Sequence, residues 1–284
     1  MAIKRADLHT HTTASDGTRS PADVVRLAAS SGLAAVAITD HDTMAGVAEA
    51  IEEGSRIGIQ VVPGVEISAS ANGKDIHVLG YYPDWHNEVW LERLQQLRQG
   101  RALRNERIIG KLSQLGITIT LEEVYAAAGK TGSDDETVGR PHIAAVLVDK
   151  GIALSVSEAF DTLLGSGKPG FVSVPRITPF EAVDWIREAG GTSIIAHPGL
   201  YGEDELVEEL IRYGIGGVEV YHSDHSKQEE ERYLKLARRY QVIETGGSDY
   251  HGERGGVVYH GGIGSRSVHA GVLMQLNPVW RKKE

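Results

Sequence analysis

The sequence predicts an α/β protein: one parallel-stranded barrel of about seven β-α units, interrupted by a mainly helical insertion. Three observations carry this expectation. Short apolar runs alternate with helical patterns along most of the chain, as β-α repeats around a parallel sheet require. The 284-residue length suits a barrel plus a small insertion. The alternation lapses once, between residues 99 and 177, and then resumes.

The first strand is short and ends in Asp7-Leu8-His9-Thr10-His11. Ser20 is a good N-cap with Pro21 at the first helical position, so a helix starts there. Residues 34–38 form the second strand, ending at Thr39-Asp40-His41-Asp42. A helix over 43–57 leads to a run over 60–66 that closes on Glu66, and 75–82 alternates around His77. A charged helical stretch covers 88–115. Residues 118–171 carry short helical segments and turn signals, with a polar loop over 129–137. Strand–helix alternation returns with a helix over 179–189 and a run over 192–196. Runs over 217–221 and 242–245 follow, each succeeded by a polar cluster. The expected organisation is a barrel from residues 1–98 and 178–284 around an inserted unit of 99–177. The one biased tract is the basic tail Arg281-Lys282-Lys283.

Composition removes several function classes. A chain that is 41% hydrophobic and 24% charged has enough apolar surface to fold. No apolar run approaches the ~20 residues of a membrane helix. Residues 1–7 show no secretory pattern, so the cytoplasm is the expected location. The formal charge of −10 argues against a broad basic surface coating nucleic acid. With no cysteine, disulfides and thiolate ligands are excluded.

Histidine carries the chemistry. His9 and His11 sit two apart on a strand, so both imidazoles share one face. H-x-H alone is weak, but metal-competent residues recur at strand ends: Asp40-His41, Glu66, His77, His197, Glu219 with His222, and Asp249 with His251. Parallel barrels gather such positions at the C-terminal ends of their strands. Imidazole and carboxylate donors without sulfur suit Zn, Mn, Fe or Ni and disfavour a pure Mg or Ca cage. With Asp16 from the loop after strand one, there are more ligands than the four of a tetrahedral site, so two or three ions are expected.

The segments DLHTHTTASDG, ITDHDT, GVEIS, IHVLGY, AHPG and GSDYHG, in that order, resemble the PHP (polymerase and histidinol phosphatase) phosphoesterase superfamily. Within it the chain is similar to stand-alone members related to 3′,5′-nucleoside bisphosphate phosphatases, which carry an inserted helical domain. The resemblance implies a distorted (β/α)7 barrel with a trinuclear site. Carried over position by position, His9, His11, Glu66 and Asp249 would hold one metal. Glu66, His77 and His197 would hold a second, and Asp16, His41 and His251 a third. The implied activity is metal-dependent hydrolysis of a small nucleotide's phosphomonoester, the 3′-phosphate of a nucleoside 3′,5′-bisphosphate, by attack of metal-bound hydroxide. A 5′→3′ exoribonuclease acting on short RNA is the alternative. Neither a membrane nor a stable nucleic-acid partner is expected. His225 is the expected general acid, with His222 as its rival.

Substrate recognition is expected in the insertion. Gly139-Arg140-Pro141-His142 opens a helix, and a helix N-terminus beside an arginine is a natural phosphate site. Lys168 and Arg176 are further candidate phosphate contacts. Arg104, Arg107 and Lys111, spaced along the long helix, read as a solvated face. His86, His260 and His269 read as surface or packing residues. Glu219 reads as support behind the ligands. An amidohydrolase is a weaker reading, because no lysine stands at a strand end to bridge two metals. A non-catalytic metal-binding protein is weaker still, since every ligand position is filled.

Overall fold

The computed structural model describes residues 4–132, 136–254 and 256–281. Residues 133–135 of the expected polar loop, and Lys282 and Lys283 of the basic tail, lie outside the described residues. The chain falls into two compact units, Arg93–Arg176 and the flanking stretches it interrupts.

The strands are β1 (Arg5–Asp7), β2 (Ala35–Ile38), β3 (Gln60–Ala71), β4 (Lys74–Tyr81), β5 (Thr192–Ile195), β6 (Gly217–His222), β7 (Ile243–Gly247), β8 (Glu253–Arg254), β9 (Val257–Val258) and β10 (Val268–His269). The α-helices are α1 (Pro21–Ser30), α2 (Val47–Ile57), α3 (Glu88–Gln114), α4 (Leu121–Ala127), α5 (Arg140–Asp149), α6 (Val156–Ala159), α7 (Pro179–Glu188), α8 (Asp204–Tyr213), α9 (Lys227–Tyr240), α10 (Leu273–Leu276) and α11 (Pro278–Arg281). Eight strands form one sheet in the order β10-β1-β2-β3-β4-β5-β6-β7. A hydrogen bond from Leu8 N to Gly246 O (3.2 Å) and a parallel bridge between Thr10 and Tyr250 bring β1 against the end of β7. The sheet is thereby nearly closed into a barrel.

The barrel is distorted at one strand. β1, β2 and β3 run parallel, as do β5, β6 and β7, but β4 is antiparallel to both neighbours. The uniformly parallel sheet expected from the sequence is therefore corrected. The cause is local. β3 and β4 are joined by Asn72 and Gly73, with φ of 53° and 75°, and two successive positive φ values make the tight turn that only a hairpin uses. β10 also runs antiparallel, against β1.

The local signals explain the helices. Ser20 Oγ accepts the Asp23 N–H (3.1 Å) at the start of α1, and Pro21 occupies its first turn. Thr178 with Glu181, and Ser226 with Glu229, close capping boxes on α7 and α9. Alternate strand residues Ala6, Leu8, Ala35, Ala37, Val62, Leu79, Tyr81, Ile194 and Ala196 meet in one buried cluster, joined by Leu273 and Leu276 of α10. Intervening residues such as Val36, Ile38, Val78 and Ile195 are buried too, as expected of strands covered on both faces. Among the described residues, no helix is long and apolar enough to cross a membrane.

Candidate metal centre

β1 ends at Asp7, and its continuation carries His9 and His11 inward. The buried Asp7 carboxylate fixes that exit by accepting the backbone N–H groups of His9 (3.3 Å), Ser248 (2.9 Å) and Gly264 (2.8 Å). Burial pushes its carboxyl up to about 6 despite those bonds. Gly247 lies so close that a Cβ there would sit 2.3 Å from His9 N. Asp40, at the mouth of β2, clamps the next loop. Its Oδ1 accepts Thr12 N (2.8 Å), Ser15 N (3.2 Å) and Ser15 Oγ (2.5 Å), while its Oδ2 accepts Thr12 Oγ1 (2.8 Å). Asp16 follows directly.

Glu66, 1% exposed, stands at the middle of the cluster. Its Oε1 lies 2.9 Å from His77 Nδ1, 2.9 Å from His197 Nε2 and 3.5 Å from His9 Nε2. Its Oε2 lies 2.9 Å from His41 Nδ1 and 3.3 Å from His11 Nε2. Asp249 Oδ1 faces the same two atoms of β1's extension, His9 Nε2 at 3.3 Å and His11 Nε2 at 3.2 Å. On the other side, Asp16 lies 3.4 Å from His251 Nε2 and 3.8 Å from His41 Nε2. All nine positions expected from the sequence are brought together.

Electrostatics marks this as a cation site. Burial opposes ionisation of Glu66, Asp249 and Asp16, yet the surrounding imidazoles hold all three carboxyls well below the usual range. Burial also opposes the charged form of His9 and His11. Asp249, Glu219 and Glu66 outweigh it at His9, which is held well above its ordinary value. Asp249 and Glu66 bring His11 up to about 10. At His41 and His197 burial prevails and both are pushed down to about 4. His9 Nε2, His11 Nε2, His41 Nδ1, His77 Nδ1 and Asp249 Oδ1 are buried with no hydrogen-bond partner among the described residues. Buried polar atoms are normally satisfied, so a set of lone-pair donors turned toward one another fits bound cations. Candidate ligand groups include His11, Asp16, His41 and His251; His9, His11 and Glu66; and His41, Glu66 and His77. Divalent metals match this nitrogen and oxygen donor set.

His77 does not end its strand; it lies near the start of β4, and the antiparallel direction brings that start to the same mouth. Glu219 sits behind the ligands, 3.0 Å from His9 Nδ1 and accepting His197 N–H at 2.8 Å. His225, the expected general acid, has both ring nitrogens on backbone groups. It is buried, its Nδ1–H donates to Val220 O (2.9 Å), and its Nε2 accepts Gly199 N–H (3.1 Å). His222 is fully buried, accepts Asp224 N–H at Nδ1 (3.1 Å), and lies 3.2 Å from Asp249 through Nε2.

His260, read as a surface or packing residue, stands instead at the rim of the centre. Its Nδ1 contacts Asp224 and its Nε2 lies 3.6 Å from Asp249 Oδ2. No periodic signal marks it, because its loop follows the β8–β9 hairpin. His86 and His269 are exposed. In the inserted unit, Arg140 is the first residue of α5 and Pro141 the second, and the Arg140 guanidinium lies about 6 Å from the Phe160 and Phe171 rings. Lys168 is exposed and Arg176 half-buried. Arg107 and Lys111 are exposed, but Arg104 is 3% exposed, which corrects the solvated face. It lies one turn from Ile108, on the buried stripe of α3.

The PHP domain family matches residues 7–244. A 3′,5′-nucleoside bisphosphate phosphatase from Chromobacterium violaceum is 34% identical over 86% of this chain and 86% of its own. The 5′-3′ exoribonuclease Rnm of Escherichia coli is 35% identical over 86% of this chain and 84% of its own. A solved putative metal-dependent phosphoesterase from Bifidobacterium adolescentis superposes with a TM-score of 0.87 at 34% identity, covering 95% of this chain and 94% of that one. The chain belongs to the PHP domain family and is a metal-dependent phosphoesterase.

Proposed function

We propose that the protein hydrolyses a phosphomonoester of a small nucleotide, the 3′-phosphate of a nucleoside 3′,5′-bisphosphate. The observation that carries this is the convergence of imidazoles and carboxylates from separate strand ends onto Glu66, each of whose oxygens faces a different set of histidines. In this reading His9, His11, Glu66 and Asp249 hold one divalent ion. Glu66, His77 and His197 hold a second, and Asp16, His41 and His251 a third, with Mn, Zn or Fe the ions suited to these donors. Bound there, the ions would lower the pKa of water and offset the charge of the phosphate.

The chain's own side chains do the positioning. Glu219 accepts at His9 Nδ1 and so turns Nε2 inward. Asp249 O accepts the His251 Nδ1–H (2.8 Å), which leaves His251 Nε2 facing Asp16. Asp40 keeps the Asp16 loop closed.

Arg140, Lys168 and Arg176 are the proposed contacts for the second phosphate. The experiment is kinetic: release of phosphate from a nucleoside 3′,5′-bisphosphate beside a plain nucleoside monophosphate, in the native protein and in Arg140→Ala. The proposal expects the bisphosphate to be preferred, and the substitution to raise KM for the bisphosphate far more than for the monophosphate. Equal effects on both would refute the clamp. The second reading, a 5′→3′ exoribonuclease, is favoured by the similarity to Rnm. Faster turnover of a short oligoribonucleotide than of the bisphosphate would establish it.

A further inference from the structure

We propose that His225 is a positioning residue, a strut that holds the turn presenting His197 to the metal centre; this rests on the metal-centre reading above. Three features of the turn require such a strut. His197 has φ 25° and ψ 56°, a sparsely populated conformation for a residue with a side chain. Such backbone costs about 1–3 kcal/mol and persists only where its surroundings fix it. The fixing bonds come from β6 and the segment after it: Glu219 Oε2 takes the His197 N–H at 2.8 Å, and His225 Nε2 takes the Gly199 N–H at 3.1 Å. The ring of His225 also fills the space beside residue 199, where an added Cβ would lie 2.7 Å from its Cδ2. Only glycine fits there, so turn and ring are matched surfaces.

The ring is itself fixed from the other side. Its Nδ1–H is held by Val220 O at 2.9 Å, and it packs 5.7 Å from the Tyr233 ring of α9. With the proton on Nδ1 and an N–H pointed at Nε2, the imidazole links β6 to the turn after β5. Its work is done on the shape of the His197 turn, through the Gly199 N–H that its Nε2 accepts.

The test uses His225→Leu, which keeps bulk and removes both polar atoms, and His225→Gln, which keeps a donor and an acceptor on a planar end. Titration of Mn against a chromophoric chelator measures metal affinity. Rates are taken with p-nitrophenyl phosphate, whose leaving group departs without a proton, and with a nucleoside bisphosphate, whose leaving group needs one. The strut predicts that His225→Leu weakens one ion by about 10–100-fold, the range for residues that support metal ligands. Both rates then fall in the same proportion and recover at saturating Mn, with His225→Gln closer to the native protein. Unchanged affinity in a folded His225→Leu protein overturns the proposal. So does a loss confined to the bisphosphate that persists at saturating Mn, the signature of a proton donor. If His225→Leu does not fold, His225→Gln carries the titration, and native affinity with a bisphosphate-only loss overturns it again. If the native protein hydrolyses neither ester, the functional reading fails while the chelator titration still decides the strut.

Discussion

Replacing Asp40 by alanine tests how the loop carrying Asp16 is held. Asp40 is 1% exposed and accepts two backbone N–H groups, from Thr12 and Ser15, together with their hydroxyls. The hydroxyls can turn to other acceptors and the Ser15 N–H also donates to Thr12 O (3.1 Å), but the Thr12 N–H loses the acceptor that holds it. A buried donor stripped of its acceptor costs about 1–3 kcal/mol, and the closed loop loses that much relative to open conformations. Even the lower figure changes the ratio of closed to open loop by roughly 5-fold. Asp16 is the carboxylate facing His41 and His251, so the loss falls on the ion those residues hold. Asp40→Ala is expected to retain one ion fewer per chain than the native protein after gel filtration, measured by elemental analysis, and to bind it at least ~5-fold more weakly on titration. Asp40→Asn, which keeps an oxygen in the Oδ1 position, is expected to lose much less. An Asp40→Ala protein with native metal content and native affinity would refute the reasoning.

Metal binding should also release protons. In the metal-free protein His9 is held well above its ordinary value and His11 up to about 10, so both are charged at neutral pH, whereas His41 and His197, near 4, are already neutral. An ion needs the neutral imidazole, so affinity rises with pH, by up to about tenfold per unit for each proton displaced. Calorimetric titration at neutral pH in buffers of different ionisation enthalpy should show net release, and identical heats in all buffers would contradict it. Gly247→Ala would place a Cβ 2.3 Å from His9 N and 2.4 Å from His9 Cβ. Backbone cannot yield as a side chain does, so a loss of roughly 3 kcal/mol or more is expected in urea unfolding, and an unchanged midpoint would refute the close approach.

The parts legible in the sequence are those where chemistry repeats. The strands ending near His9, His41, His197, His222 and Asp249 announced themselves because an apolar run and a metal-competent residue coincide at each. Caps at Ser20 and Thr178 are equally local. The reversal of β4 had a signal too, the Asn72-Gly73 pair between alternating runs, but a barrel expected to be parallel throughout leaves no place for a hairpin. α9 was harder to read, since Lys227–Tyr240 is so charged that only Tyr233 and Ala237 are buried along it. β10 is two residues long and exists only through its pairing with β1. The role of His225 has no signature in the sequence. A histidine near a strand end looks the same in sequence whether its nitrogens face a substrate or two backbone groups.

Crystals grown with Mn and measured for anomalous scattering test the central claim most directly. The account predicts difference peaks flanking Glu66 within about 2–2.3 Å of atoms from His9, His11, His77, His197 and Asp249, and a further peak bounded by Asp16, His41 and His251. Peaks confined to surface carboxylates, with none among these residues at saturating Mn, would contradict it.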